Sequence, residues 1–317
     1  MKIAIDVMGG DYAPESVIDG ILESIKSFKA NEIILAIGPQ SLIEDLLKQR
    51  NYTGSNIKII DAQEVIEMGE HPTKALTQKP NSSIGIGFGL LKAGKADVFA
   101  SAGNTGAMMV GSLFSVKTIP GIQRPAIAGF APRITGGYSL VLDIGANADC
   151  KPEMLNQWAQ LGSVYYKAMV GVNSPRVALM NIGEEEQKGS ILTQAAHSLM
   201  KANSKINFVG NIEGKDFFYD KADVIVTDGF TGNIMLKMGE SFYNIAQKEG
   251  ISSEFINKTN YETYGGSPII GINGNVIIAH GASSPKAIEN MINLAKTVVE
   301  NEVYQKLTIA FQENITE

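Results

Sequence analysis

Cysteine is nearly absent. Among 317 residues only Cys150 carries a thiol, so no intrachain disulfide can form, which fits a reducing compartment. Charge is sparse as well, at 19% of residues against 44% hydrophobic, which leaves ample material for a core and excludes a mostly disordered chain. Positive charge is the scarcer sign. With 27 Lys and Arg against 33 Asp and Glu the net charge is −6, and the broad basic surface of a non-specific nucleic-acid binder is missing. No apolar run approaches the roughly 18 residues of a membrane-spanning helix. Residues 1–6 read as a strand and not as a signal peptide. A cytoplasmic protein is expected, with attachment to a membrane surface left open.

Several chemical signatures are also lacking. There is no G-x-x-x-x-G-K-[ST] phosphate loop, and Gly85-Ile86-Gly87-Phe88-Gly89 has neither the spacing nor the preceding strand of a dinucleotide fingerprint. There is no G-x-S-x-G elbow. The three histidines, His71, His197 and His280, share no metal-ligand spacing. Activity without metal or redox cofactor is therefore expected.

What is present is an alternation of short apolar runs with helical segments. Strands are expected at 2–6, 32–37, 57–61, 97–100, 138–143, 176–181, 205–210, 223–227 and 275–279. Continuous apolar runs such as 177–180 suit strands buried on both faces of a largely parallel sheet. Pro14 is placed in the first turn of a helix through Phe28. Residues 105–117 read as a helix. The last helix is expected from Ser284 to about Phe311, on a stripe of Ile288, Met291, Ile292, Ala295, Val298 and Val299. The length equals about two typical domains, but no linker is visible. The expectation is one α/β domain over 1–317 with a helical excursion near 233–262, where Phe242, Ile245 and Ala246 form a weak apolar face.

In open α/β sheets, ligands bind outside the carboxyl ends of the strands. Six such ends carry glycine and small polar residues: Asp6 to Pro14, Ser101 to Ala107, Asp143 to Asn147, Asn181 to Gly189, Thr227 to Asn233 and His280 to Ser284. Taken singly, each is ordinary turn and cap chemistry. Together they point to a pocket for a phosphate-bearing or polar ligand, and the ends after Ala100, Leu142, Met180 and Val226 are expected to converge on one polar cleft. Lys188 is the cation of interest, either meeting phosphate or a developing oxyanion or forming a solvated pair with Glu184, Glu185 or Glu186. Asp228 either orients a partner or caps a helix. His197 reads as structural, and His280, at a strand end, as equally open to a role near the site. Cys150 is nucleophilic only if exposed. Arg124 and Arg133 are weaker anion contacts.

The loops taken together resemble the phosphate acyltransferase family called PlsX. The resemblance rests on Asp6-x-Met8-Gly9-Gly10-Asp11, Ser101-Ala102-Gly103-Asn104-Thr105-Gly106-Ala107, Arg124-Pro125-Ala126 and Asp143-x-Gly145-Ala146-Asn147. It continues with Lys151-Pro152-Glu153, Asn181-x-Gly183 through Lys188-Gly189, Asp228-Gly229-Phe230-Thr231-Gly232-Asn233, Tyr264-Gly265-Gly266 and His280-Gly281, in the family's order along the chain. It implies a three-layer α/β/α fold similar to isocitrate and isopropylmalate dehydrogenases and to phosphotransacetylases. It also implies a homodimer and an acyl phosphate product that a membrane glycerol-3-phosphate acyltransferase consumes. The chain departs from the family between Asn233 and Tyr261, where members commonly carry a longer helical hairpin linked with dimer packing and membrane contact.

Such a reaction moves a fatty acyl group from acyl carrier protein to inorganic phosphate. Phosphate is already an anionic nucleophile, so the site has to hold it and stabilise an oxyanion. Lys188, Asn147 and Asp228 are the candidate catalytic residues, Lys188 for charge and the other two for positioning. Asn104, Thr105, Gly106, Gly9, Gly10, Asn181, Asn233 and His280 are the candidate substrate contacts. The rivals are a short-chain phosphotransacylase using coenzyme A, a dehydrogenase, and a non-catalytic membrane-associated scaffold for lipid enzymes.

Overall fold

The computed structural model describes residues 1–312. In chain order the elements are β1 (Lys2–Asp6), α1 (Glu15–Ser24), β2 (Ile33–Gly38), α2 (Gln40–Gln49), β3 (Ile57–Asp61), α3 (Pro72–Gln78), α4 (Ser83–Lys92), β4 (Val98–Ser101) and α5 (Thr105–Gly111). Then come β5 (Ala126–Pro132), β6 (Tyr138–Leu142), α6 (Pro152–Val170), β7 (Arg176–Met180), α7 (Ile191–Ala202), β8 (Asn207–Ile212) and β9 (Val224–Val226). The chain ends with α8 (Gly229–Lys248), α9 (Glu254–Lys258), β10 (Ser267–Ile270), β11 (Asn275–Ile278), α10 (Pro285–Glu300) and α11 (Val303–Gln312). Residues 1–118 with 261–304 form one compact unit, and residues 119–260 with 305–312 form another.

The first unit holds strands in the order β3-β2-β1-β4-β11-β10, all parallel except β10. Strand alternation sorts its faces. Val98 and Ala100 of β4 join a core with Ile18 and Ile21 of α1 and Ile288, Met291 and Ile292 of α10. Phe99, between them, turns the other way and meets Phe88 of α4 edge-on at 5.0 Å. Helices therefore cover both faces. Helices α1 and α10 approach so closely that a Cβ on Gly20 would lie 2.5 Å from the Cβ of Ile288.

The second unit orders its strands β5-β6-β9-β7-β8, all parallel except β5. Helix α6 starts with Pro152 at its first position and ends at Gly171 in the left-handed region, as the N-terminal proline and C-terminal glycine preferences dictate. Trp158 and Tyr165 on α6 are fully buried. In each unit the parallel strands send the loops that follow them to one edge of that unit's sheet.

All nine expected strands form, within two residues of the expected bounds. The two that the sequence did not reveal, β5 and β10, are the antiparallel ones; they contain Pro132 and Pro268, which weaken a strand signal. Three helix expectations are corrected. Pro14 sits at the cap before α1, whose α-helix stops at Ser24 and tightens into a 3₁₀ turn. The last helix is two helices, broken at Glu302, which takes φ 51°. Finally, Phe242 and Ile245 are exposed, and only Ala246 of that trio is buried.

Candidate active site

In the first unit the loops after β1, β4 and β11 meet around a buried carboxylate. Asp6 ends β1 with its side chain turned inward. Its Oδ2 accepts the Ser101 hydroxyl at 2.7 Å, and its Oδ1 accepts the Met8 N–H at 3.0 Å. The Ser101 oxygen in turn accepts the Gly103 N–H at 2.9 Å. Burial pushes the Asp6 carboxyl above its ordinary value, against the hydrogen bonds from Ser83, Ser101 and Met8. Gly9 closes over this group: a Cβ there would lie 2.6 Å from Asp6 Oδ2 and 2.7 Å from the Gly103 nitrogen. Gly10, at φ 115°, lies against the Gly281 carbonyl, and Asp11 N–H donates to that same oxygen at 2.7 Å.

Asn104 caps α5 by accepting the Ala107 N–H at 2.9 Å. Its amide nitrogen donates to the carbonyls of Glu67, Met68 and Glu70 at 3.0–3.1 Å, tying down the segment before α3. Thr105 is exposed, and Gly106 lets α5 pass close to Pro72. His280 is exposed at the end of β11. Its ring lies on Tyr261 with centroids 4.6 Å apart, and its Nδ1 accepts the Ala282 N–H at 3.1 Å.

In the second unit the loops after β6, β7 and β9 carry the matching polar residues. Asp143 follows β6 fully buried and collects the N–H groups of its own loop. Asn147 donates its amide to Asp143 and to the Pro125 carbonyl, both at 2.9 Å. Asp228 caps α8, its two oxygens accepting the Thr231 N–H and hydroxyl at 2.8 Å each. Asn233 lies one turn on, beside Gly145.

Lys188 is exposed on the loop after β7. Two of the glutamates that could neutralise it are engaged elsewhere: Glu184 with Lys221, and Glu186 with Lys201. Among the described residues the Lys188 ammonium makes no ion pair. Its backbone is fixed instead, because the Asn181 amide donates to the Lys188 carbonyl at 3.1 Å. His197, buried beneath this loop, bonds Asn211 at 3.0 Å, the structural part expected of it. The Cys150 thiol is half-buried and pushed up to about 12 by desolvation and by Asp228, Asp143 and Asp149, so it remains a neutral thiol. Arg133 is taken up by Ser139, Tyr166 and Asp223, and so serves the framework.

These loops offer glycine-rich backbone, neutral amides and, at Lys188, an exposed ammonium. The hydroxyls that meet carboxylates here, Ser101 on Asp6 and Thr231 on Asp228, are held in structural turns and caps. Among the described residues, no cluster of three or more His, Cys, Asp or Glu side chains could hold a metal ion.

A family model described as fatty acid synthesis protein matches residues 1–306. The phosphate acyltransferase of Dictyoglomus thermophilum is 44% identical over 326 residues, covering 97% of this chain and 96% of that one. The chain belongs to this family. The phosphate acyltransferase of Salinibacter ruber is 41% identical over 331 residues, covering 98% of both chains. Each alignment is longer than the chain itself, so both relatives have positions that this chain lacks.

The fold is shared more widely than the family. A phosphotransacetylase from Streptococcus pyogenes superposes with a TM-score of 0.67 at 18% identity, covering 95% of this chain and 94% of that one. A putative 4-hydroxythreonine-4-phosphate dehydrogenase from Salmonella typhimurium does so at 0.56 and 13%, covering 94% and 99%. Family membership makes the chain an acyltransferase. Asp6, Ser101 and Asp143, to which the sequence attached no individual role, emerge as the groups that shape the family's loops. The available signal, for the two aspartates, was an Asp placed directly after a short apolar run, 3–5 and 140–142.

Proposed function

We propose that this transferase moves a fatty acyl group from an acyl carrier protein thioester to inorganic phosphate. A phosphate oxygen attacks the thioester carbon and the carbonyl becomes an oxyanion. Collapse breaks the C–S bond, releasing the carrier thiolate, which takes a proton, and leaving acyl phosphate. The match to phosphate acyltransferases over nearly the whole chain carries the reading. Support also comes from the chemistry of the strand-end loops, since anion holding and oxyanion stabilisation need N–H donors and a cation and no acid–base triad.

Lys188 is assigned charge stabilisation, and the backbone at Thr105 and Gly106 contact with phosphate or the oxyanion. Asn104, Asn147, Asn181 and Asp228 spend hydrogen bonds on the backbone of their own or neighbouring segments, so their assigned part is to shape backbone. Gly9 and Gly10 give close approach, and Asn233 and His280 remain the substrate contacts proposed for their loops.

The homodimer, a cytoplasmic setting with attachment to the membrane surface, and transfer of the product to a membrane glycerol-3-phosphate acyltransferase belong to the same proposal. Among the described residues no helix is long and apolar enough to cross a membrane. Phe230, Ile234, Met238 and Ile245 leave one side of α8 exposed and apolar, which supports a surface covered in use. The substrate is tested by offering acyl carrier protein and coenzyme A thioesters of one acyl chain side by side. Faster turnover of the carrier thioester supports the reading; preference for a short-chain coenzyme A thioester replaces it with a phosphotransacylase.

A further inference from the structure

We infer that Asp143 is a positioning residue for the transfer reaction, acting through Asn147 on the first turn of α8. The inference rests on the proposed reaction. Asp143 Oδ1 accepts the N–H groups of Ile127, Gly145 and Ala146 at 3.0, 3.2 and 3.1 Å. Oδ2 accepts the backbone N–H and the side-chain amide of Asn147 at 2.7 and 2.9 Å. Three successive amides converging on one anion form the concavity that elsewhere holds a phosphate. Here the anion is the loop's own carboxylate. The loop therefore has no free N–H nest to offer a substrate; it is a block whose shape one buried charge sets.

That block supports the next motif. Gly229 N–H donates to the Asn147 carbonyl at 2.8 Å. A Cβ on Gly229 would lie 2.7 Å from that oxygen and 2.8 Å from Asp143 Oδ2, and one on Gly232 would lie 2.0 Å from the Asp143 carbonyl. Glycine at both positions lets the turn rest directly on the block. The same turn presents Asp228 and Asn233, so a shift in Asp143 is transmitted to both.

Asp143→Asn keeps the side chain's size but aims an NH₂ at N–H groups. Turnover is measured by trapping acyl phosphate with hydroxylamine and normalised to the folded fraction from circular dichroism. The expected fall in kcat is about 10- to 100-fold, the cost of a displacement on the order of 1 Å, with little change in the acyl-donor KM. Gly229→Ala leaves the carboxylate intact and is expected to reproduce the fall. Gly214→Ala, with open space around its Cβ, is not. Hydrogen exchange in Asp143→Asn is expected to quicken in both 143–147 and 228–233. A kcat within about twofold of wild type at equal folded fraction overturns the inference. So does exchange that quickens at 143–147 alone. If the wild-type protein forms no acyl phosphate, the proposed reaction falls, and exchange at 228–233 still decides the positioning claim.

Discussion

The guanidinium of Arg133 meets the carboxylate of Asp223 at 2.7 Å, where the strands β6, β7 and β9 begin and away from the loops that follow them. Asp223 also accepts the Arg176 backbone N–H at 2.7 Å and its side chain at 3.1 Å. Burial opposes the Asp223 charge, but the hydrogen bonds from Arg176 and Arg133 outweigh it and hold the carboxyl below its ordinary value. An acid with a lowered folded value binds fewer protons when folded than when unfolded. Its stabilisation is therefore complete above the unfolded aspartate value of about 3.9, declines below it, and is lost as pH falls through the lower folded value.

Asp223→Asn should accordingly destabilise the protein at neutral pH by about 2 kcal/mol, less than a fully orphaned buried charge would cost, since Arg133 keeps an ion pair with the half-exposed Asp220 at 3.1 Å. The gap to wild type should narrow as acid unfolding proceeds below pH of about 4. Urea titrations at several pH values check this. A gap that does not change with pH would show that the pair contributes no linked stability.

Tyr165 is fully buried, and its hydroxyl has no hydrogen-bond partner among the described residues. A buried unsatisfied polar group carries its full desolvation cost, so Tyr165→Phe is expected to raise stability by about 1 kcal/mol. Thermal and denaturant melts measure the change. A loss of stability would mean that the hydroxyl is satisfied in solution.

Nine strands were legible because each is a short apolar run bounded by polar or glycine residues, and their following loops located the family motifs. The break at Glu302 was not legible: no glycine or proline marks it, and the apolar spacing continues into Leu307 and Phe311, both buried. The roles of the site amides were hidden for a different reason. Asn104 finds its three carbonyl partners 34 to 37 positions earlier in the chain. Nothing local distinguishes such an asparagine from one that faces a ligand. Lys188 could be read as a candidate, but that Glu184 and Glu186 pair with Lys221 and Lys201 is a tertiary fact.

If the Lys188 ammonium has its proposed role of meeting charge that develops in the transition state, Lys188→Ala is expected to lower kcat on the order of 10²-fold. Stability should stay within about 0.5 kcal/mol, as for other exposed side chains. Lys188→Arg should restore only part of the activity, since a planar fork does not reproduce a compact ammonium. Turnover measured beside thermal melting separates the outcomes. Near wild-type turnover in Lys188→Ala would make Lys188 a solvated surface charge.

The central claim is that phosphate is the acyl acceptor, and product trapping tests it most directly. The protein is incubated with acyl carrier protein thioester, with and without inorganic phosphate, and the products are captured with hydroxylamine. The account predicts acyl hydroxamate in proportion to enzyme, dependent on phosphate and unaffected by a metal chelator. Hydroxamate no greater than in the enzyme-free control, or equal with and without phosphate, would contradict it.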